Sequence, residues 1–354
     1  MANPNAAWHG LISGRPAGPD RVPPYNPGMP TAVAFGEAMV RLTPPGFGRL
    51  ERAASLQVEV GGAELNTAVG LVRLGHPAAW VSRLPGSPLG RLVLNRVRES
   101  GVEPRVQVSA DGRCGLYFLE EGAAPRPSGL VYDRAGSSFA LQPADAFDWP
   151  KLLSGARWFH VTGITPALGE NPRAAAGTAL KVAKALGLTT SVDLNYRARL
   201  WDAATAGRVL AELLPDCDVL ICGAGEAADL FGVTGDGFPT VAERLADRFG
   251  LTAVAGVKRE APGVWRNRFG GVGWHAGTGY ETAWHEVEVV DRLGAGDAFA
   301  AGLIAGLLEG DFGPALDLAA AYGALKHADR GDLPTADRAE ANAVLAGGNL
   351  RVKR

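Results

Sequence analysis

Cysteine is scarce in this chain. Cys114, Cys217 and Cys222 are the only three in 354 residues. They are too few and too scattered for a disulfide framework or a structural zinc site, so a reducing, cytoplasmic setting is expected. No stretch approaches the roughly 20 uninterrupted apolar residues that span a bilayer. A formal net charge of −2 supplies no field to draw in nucleic acid or a membrane surface, and neither partner is expected. The histidines at 9, 76, 160, 275, 285 and 327 show no metal-ligand spacing. Neither a Walker A pattern nor Gly-x-Ser-x-Gly occurs, which counts against a P-loop ATPase and a hydrolase nucleophile elbow. No internal repeat is evident.

Hydrophobic residues make up 47% and charged residues 20% of the chain, enough to build a sizeable core. The proline-rich residues 1–30 lack any apolar core segment and read as a flexible extension. From there, strand-like runs at 31–35, 79–84, 157–162, 189–194, 219–222 and 251–257 alternate with helical periodicity. The helical stretches lie near 64–74, 88–100, 173–186, 204–214, 239–249, 297–309 and 314–327. That alternation predicts an α/β layered fold with a mainly parallel sheet, whose ligands collect beyond the carboxyl ends of the strands. Residues 40–60 and about 105–140 break the rhythm with short alternating segments. They are expected to form a small antiparallel β lid over the main body, within one domain spanning 31–346 and followed by a tail at 347–354. An open lid face has to be covered by substrate or by a partner subunit, which makes a homo-oligomer plausible.

The most informative stretch is Asp291-Arg-Leu-Gly-Ala-Gly-Asp-Ala-Phe-Ala-Ala-Gly302. Gly294 and Gly296 let backbone N–H groups converge without a Cβ in the way. The apolar run 298–308 predicts a buried helix with Asp297 in its first turn. Unpaired N–H groups at Gly294, Ala295 and Gly296, together with the helix dipole, suit a phosphoryl group. A carboxylate there is well placed to take a proton from an attacking hydroxyl. The plain alternative is a helix entry capped by Asp297. At Gly62-Ala63-Glu-Leu-Asn66, Gly62 permits close approach of backbone to ligand, and the Asn66 amide can both donate to and accept from ligand hydroxyls. Arg197, just past a predicted strand, offers a planar guanidinium to a carboxylate or phosphate. Val219-Leu-Ile-Cys-Gly-Ala-Gly-Glu-Ala-Ala228 fits a strand followed by G-x-G-x-x-A, a dinucleotide fingerprint. No acidic residue closes the following strand at the expected distance, so an oxidoreductase ranks low.

The Gly-Ala-Gly-Asp turn entering a buried helix, with Gly61-Gly-Ala-Glu-Leu-Asn66 far upstream, resembles the PfkB or ribokinase-like carbohydrate kinases over about 31–346. More narrowly it is similar to the 2-keto-3-deoxygluconate kinases. The pointers are Gly115-Leu-Tyr117, Val131-Tyr-Asp-Arg134, Gly163-Ile-Thr-Pro-Ala167, Asp193-Leu-Asn-Tyr-Arg197, Asp291-Arg292, Ala324-Leu-Lys-His327 and Gly331-Asp332. The resemblance implies a ribokinase-like three-layer fold and ATP with Mg2+. The implied reaction is phosphorylation of a sugar-acid terminal hydroxyl, giving 2-keto-3-deoxy-6-phosphogluconate, with Asp297 as base and Gly294, Ala295 and Gly296 as the anion cradle. It also implies sugar contacts from Gly62, Ala63, Asn66, Tyr117, Tyr132, Arg134, Arg197 and Asp332. Asn195 is implied near the phosphates, Lys258 beside the ATP site, and Glu226 as organiser of magnesium. Gly223 stands where the family has Asn or Ser. Glu260 stands where a glycine is usual, and would repel polyphosphate unless turned outward. Rival readings are a neutral-sugar kinase of fructokinase or ribokinase type and a catalytically weak sugar-binding homologue.

Overall fold

The computed structural model describes residues 29–263 and 265–347. The expected N-terminal extension, up to residue 28, and the expected tail beyond 347 lie outside the described residues. The strands are β1 (Ala32–Phe35), β2 (Met39–Thr43), β3 (Gln57–Gly61), β4 (Ala78–Pro85), β5 (Glu103–Ser109), β6 (Leu116–Glu120) and β7 (Gly129–Asp133). They continue as β8 (Trp158–Thr162), β9 (Thr189–Asp193), β10 (Val219–Ile221), β11 (Ala253–Glu260), β12 (Arg266–His275), β13 (Thr278–Glu281) and β14 (His285–Glu288). A ten-stranded sheet runs β13-β12-β11-β10-β9-β8-β1-β4-β5, with β14 also on β12. From β5 to β11 every pairing is parallel; β12, β13 and β14 add an antiparallel edge.

Alternation along the central strands sends side chains to two cores. Ala32, Ala34, Trp80 and Trp158 face one, shared with the helices Ala63–Arg73, Ala295–Glu309 and Phe312–Lys326. Val33, Phe35, Phe159 and Val161 face the other, shared with Glu170–Ala185, Ala203–Leu213 and Phe238–Phe249. The chain is thus three layers, helix on sheet on helix, as the alternation of segments predicts. The Ala295–Glu309 helix buries Ala298 through Gly306 without a break. It is held between the sheet and its antiparallel neighbour Phe312–Lys326, so its N-terminus is fixed relative to the strand ends.

A second, four-stranded sheet, β3-β2-β6-β7, forms the lid. Its outer pairs are antiparallel and its central pair, β2 with β6, is parallel. One boundary needs correction. The lid expected from residue 105 begins later, because β5 pairs in parallel with β4 along Ala79–Pro85 as the edge of the main sheet. Its half-buried alternation looks the same in sequence as that of a lid strand.

Candidate active site

The carboxyl ends of the parallel strands and the underside of the lid enclose a cavity of about 870 Å³. Gly294, at a φ of +84°, caps the Ala295–Glu309 helix in the left-handed region. A side chain there would be excluded twice over, since a Cβ would fall 2.1 Å from the carbonyl oxygen of Asp332. The first intrahelical bond runs from the Ala298 N–H to the Gly294 carbonyl at 2.8 Å. The N–H groups of Ala295 and Gly296 precede it and have no acceptor within the helix. Around Gly296 a Cβ would meet nothing within 4 Å, so that turn opens on free space.

Asp297 lines the cavity from the same turn. Its Oδ2 accepts the Asn66 amide N–H at 2.6 Å, and the Asn66 Oδ1 accepts the Gly62 N–H at 3.2 Å. Burial pushes the Asp297 carboxyl up to about 6, against the opposing pull of the Asn66 bond and of Arg197. That value suits a base working near neutrality. Gly62 packs so tightly on the end of β1 that a Cβ would lie 2.2 Å from the Glu37 carbonyl oxygen. Ala63 opens the helix that carries Asn66 and also lines the cavity.

The remaining expected sugar residues also line this cavity. Tyr117 and Tyr132 sit opposite each other on β6 and β7 with ring centroids 5.9 Å apart. The Tyr117 hydroxyl donates to Asp332 Oδ2 at 2.6 Å. Arg197 lines the mouth, exposed, its Nη1 3.4 Å from the Tyr196 carbonyl and its charge acting on Asp193 and Asp297. Arg134 is differently placed: two of its nitrogens, Nε and Nη2, donate to one oxygen of buried Glu37. Its charge is thus largely spent inside the protein before any substrate arrives.

Of the residues expected to meet the nucleotide, Asn195 adopts a positive φ of 39° and is held by its N–H bond to Asp193 Oδ1 at 3.0 Å. Glu226 accepts the N–H groups of Tyr196 and Gly223, each at 2.9 Å. It thereby caps the Ala224–Phe231 helix and pins the segment beyond β9. Gly223, where the family places Asn or Ser, serves as that cap through its backbone. Asp193 was not singled out from sequence as a site residue. Burial above all, then repulsion from Glu226 and Asp297, pushes its carboxyl well above the usual range. Glu226 and Asp297 thus lie near Asp193; among the described residues no three such groups cluster closely enough to ligate an ion directly, so a magnesium ion would be met through its waters. Lys258 does not point free toward a ligand. Its ammonium group is 2.8 Å from Glu281 Oε1, donates to the Thr282 carbonyl at 2.6 Å and lies 4.4 Å over the Trp284 ring. Glu260 is exposed and paired with Arg268 at 2.8 Å, so it is turned outward.

Sequence reasoning missed Arg41, Glu37 and Glu64. Glu64 is buried in the first turn of its helix, where its Oε1 accepts the Thr162 N–H, the Thr162 hydroxyl and the Thr165 hydroxyl at 3.1, 2.8 and 2.7 Å. Burial raises its carboxyl to about 7. The local signal for Glu64 was weak, a charge in the first turn of a helix that also carries Asn66 and Thr67.

Known proteins fit this geometry. The model of the pfkB family carbohydrate kinases matches residues 29–337. The chain is 40% identical over 325 residues to the 2-dehydro-3-deoxygalactonokinase of Haloferax volcanii, covering 91% of this chain and 98% of that one. It is 31% identical to the 2-dehydro-3-deoxygluconokinase of Bacillus subtilis, covering 87% of this chain and 93% of that one. The crystal structure of 2-dehydro-3-deoxygluconokinase from Thermotoga maritima superposes with a TM-score of 0.87 at 37% identity, covering 90% of this chain and 99% of that one. With a family model matched over most of its length and relatives this similar, the chain belongs to the pfkB family of carbohydrate kinases.

Proposed function

We propose that this protein transfers the γ-phosphoryl group of ATP to the terminal hydroxyl of 2-keto-3-deoxygluconate. The observation that carries the reading is Asp297, which faces the cavity, is held by Asn66 at 2.6 Å, and follows directly on the helix-entry amides that have no acceptor within the helix. In the reaction the sugar oxygen bonds to the γ-phosphorus as its proton passes to Asp297. The bond from the γ-phosphorus to the bridging oxygen breaks, and ADP leaves. The N–H groups of Ala295 and Gly296 stabilise charge on the phosphoryl oxygens in flight, with Gly294 shaping the turn. Asn66, Tyr117, Tyr132 and Asp332 hold the sugar, and exposed Arg197 meets its carboxylate. Asn195 borders the phosphates; Lys258, tied to Glu281, supports that wall through its neighbours. Asp193 and Glu226 would hold magnesium through its waters; when bound, the ion neutralises phosphate charge.

The Haloferax volcanii relative favours a second reading within the same chemistry, the epimeric 2-keto-3-deoxygalactonate. A coupled ADP-release assay with Mg2+ and ATP on both sugar acids, fructose and ribose separates the readings. Turnover of a sugar acid above fructose and ribose is expected. Equal or better turnover of the neutral sugars would sink the sugar-acid assignment. Three free, buried cysteines accord with a cytoplasmic location. Val58 on β3 and Val131 on β7 are 44% and 54% exposed on the lid, which supports a homo-oligomer meeting through the lids. Light scattering on the parent and on Val131→Glu tests this. A parent that is already monomeric refutes it.

A further inference from the structure

Arg41, on lid strand β2, is 1% exposed. Its guanidinium is divided among three partners. Nη2 lies 2.6 Å from Asp291 Oδ2, Nη1 lies 2.7 Å from Asp332 Oδ1, and Nε donates to Thr43 Oγ1 at 3.1 Å. The two carboxylates belong to the two loops that frame the glycine-rich turn. Asp291 accepts the Leu293 N–H at 3.0 Å and the Gly331 N–H at 3.1 Å. Asp332 accepts the Tyr117 hydroxyl at 2.6 Å, faces the cavity, and sets its carbonyl against Gly294. One buried cation therefore joins the lid, the sugar-facing carboxylate and the turn that cradles phosphate. Two neighbouring buried carboxylates are costly without a cation to pair with; buried Lys326 also lies near both, but Arg41 is the cation in direct contact with each. The forked guanidinium can bridge them, whereas the point charge of a lysine cannot.

We infer that Arg41 is a positioning residue for phosphoryl transfer, acting through Asp332 on the sugar and through Asp291 on the turn. Arg41 is not among the residues lining the cavity, so it reaches substrate only through these partners. The inference rests on the sugar-kinase reading, and the experiment keeps the two apart. A parent protein that releases no ADP with any sugar acid defeats that reading; Arg41 is then judged by calorimetric sugar-acid binding alone, which its replacement must weaken. With an active parent, Arg41→Lys is expected to raise KM for the sugar acid and lower kcat by about tenfold each, with KM for ATP within about twofold. Arg41→Met should lose more, and adding Asp291→Asn to it should restore part of the loss, because the like-charged pair is gone. A folded Arg41→Lys with parental kcat and KM, altered only in thermal midpoint, would overturn the inference. If neither Arg41 variant folds, Asp291→Asn alone decides. A fall in kcat at unchanged sugar KM supports the inference, and a parental kcat refutes it.

Discussion

Asn66 and Asp297, from two helices 231 residues apart in sequence, share a hydrogen bond of 2.6 Å that fixes both. Because the Asn66 carbonyl oxygen is already taken by the Gly62 N–H, the amide cannot turn over without losing both bonds. The proposed base is thus oriented before substrate arrives, and its altered charge is the first thing to test.

Asp297→Asn should lower kcat by about 10²–10⁴, the usual contribution of a positioned base, while leaving sugar-acid binding by calorimetry largely intact. In the parent, kcat/KM should fall below the point, about 6, where burial holds this carboxyl. Only the ionised form accepts a proton, so activity is lost on the acid side. A pH profile flat from 5 to 8 would remove Asp297 from the role.

Glu64 makes a stability prediction. Its carboxyl rises on folding from 4.5 to about 7. The folded chain therefore holds a proton that the unfolded chain has released, and stability falls as pH rises through that window. Glu64→Gln should keep acceptor contacts to Thr162 and Thr165 and flatten this loss, giving a higher thermal midpoint than the parent at pH 8 but not at pH 4.5. Glu64→Ala should destabilise by about 2 kcal/mol through the unpaired Thr162 N–H. Thermal melts across pH decide both.

The two arginines of the sugar site should separate. Arg197→Ala is expected to cut kcat/KM for the sugar acid by about 10–100-fold, the worth of a charge-assisted pair, with little change in melting. Arg134→Ala leaves Glu37 buried without its partner and should cost about 3–5 kcal/mol of stability. Steady-state kinetics paired with melting curves distinguish them. Equal melting losses in the two variants would contradict the assigned roles.

Gly294→Ala places a Cβ in a left-handed residue and 2.1 Å from the Asp332 carbonyl. A loss of about 1–3 kcal/mol in stability is expected, with a fall in kcat larger than any change in KM for ATP. A variant with parental melting and turnover would show that the turn tolerates displacement.

The three-layer body was legible because its signals are local. Short apolar strands alternate with longer helical stretches, some amphipathic and some apolar all round, and the predicted helices near 64–74, 297–309 and 314–327 appear as Ala63–Arg73, Ala295–Glu309 and Phe312–Lys326. The edge formed by β12, β13 and β14 was not legible, since Gly270, Gly271 and Gly273 dilute the alternation that marks a strand. A site element carried by one contiguous motif, such as the helix entry that sets Asp297 and Gly294 at the cavity, could be read directly. Chemistry assembled across the chain could not. Arg41 on a half-alternating strand looks like any solvated side chain, and nothing in its spacing announces partners at 291 and 332.

Arg134 is internally neutralised by Glu37, while Arg197 stands open at the rim on the segment just beyond β9. Under the proposed function, preference for acids over neutral sugars is thereby delegated to a short peripheral loop rather than to the scaffold. Exchanging that loop should redirect the choice of sugar and leave the phosphate-handling machinery as it is.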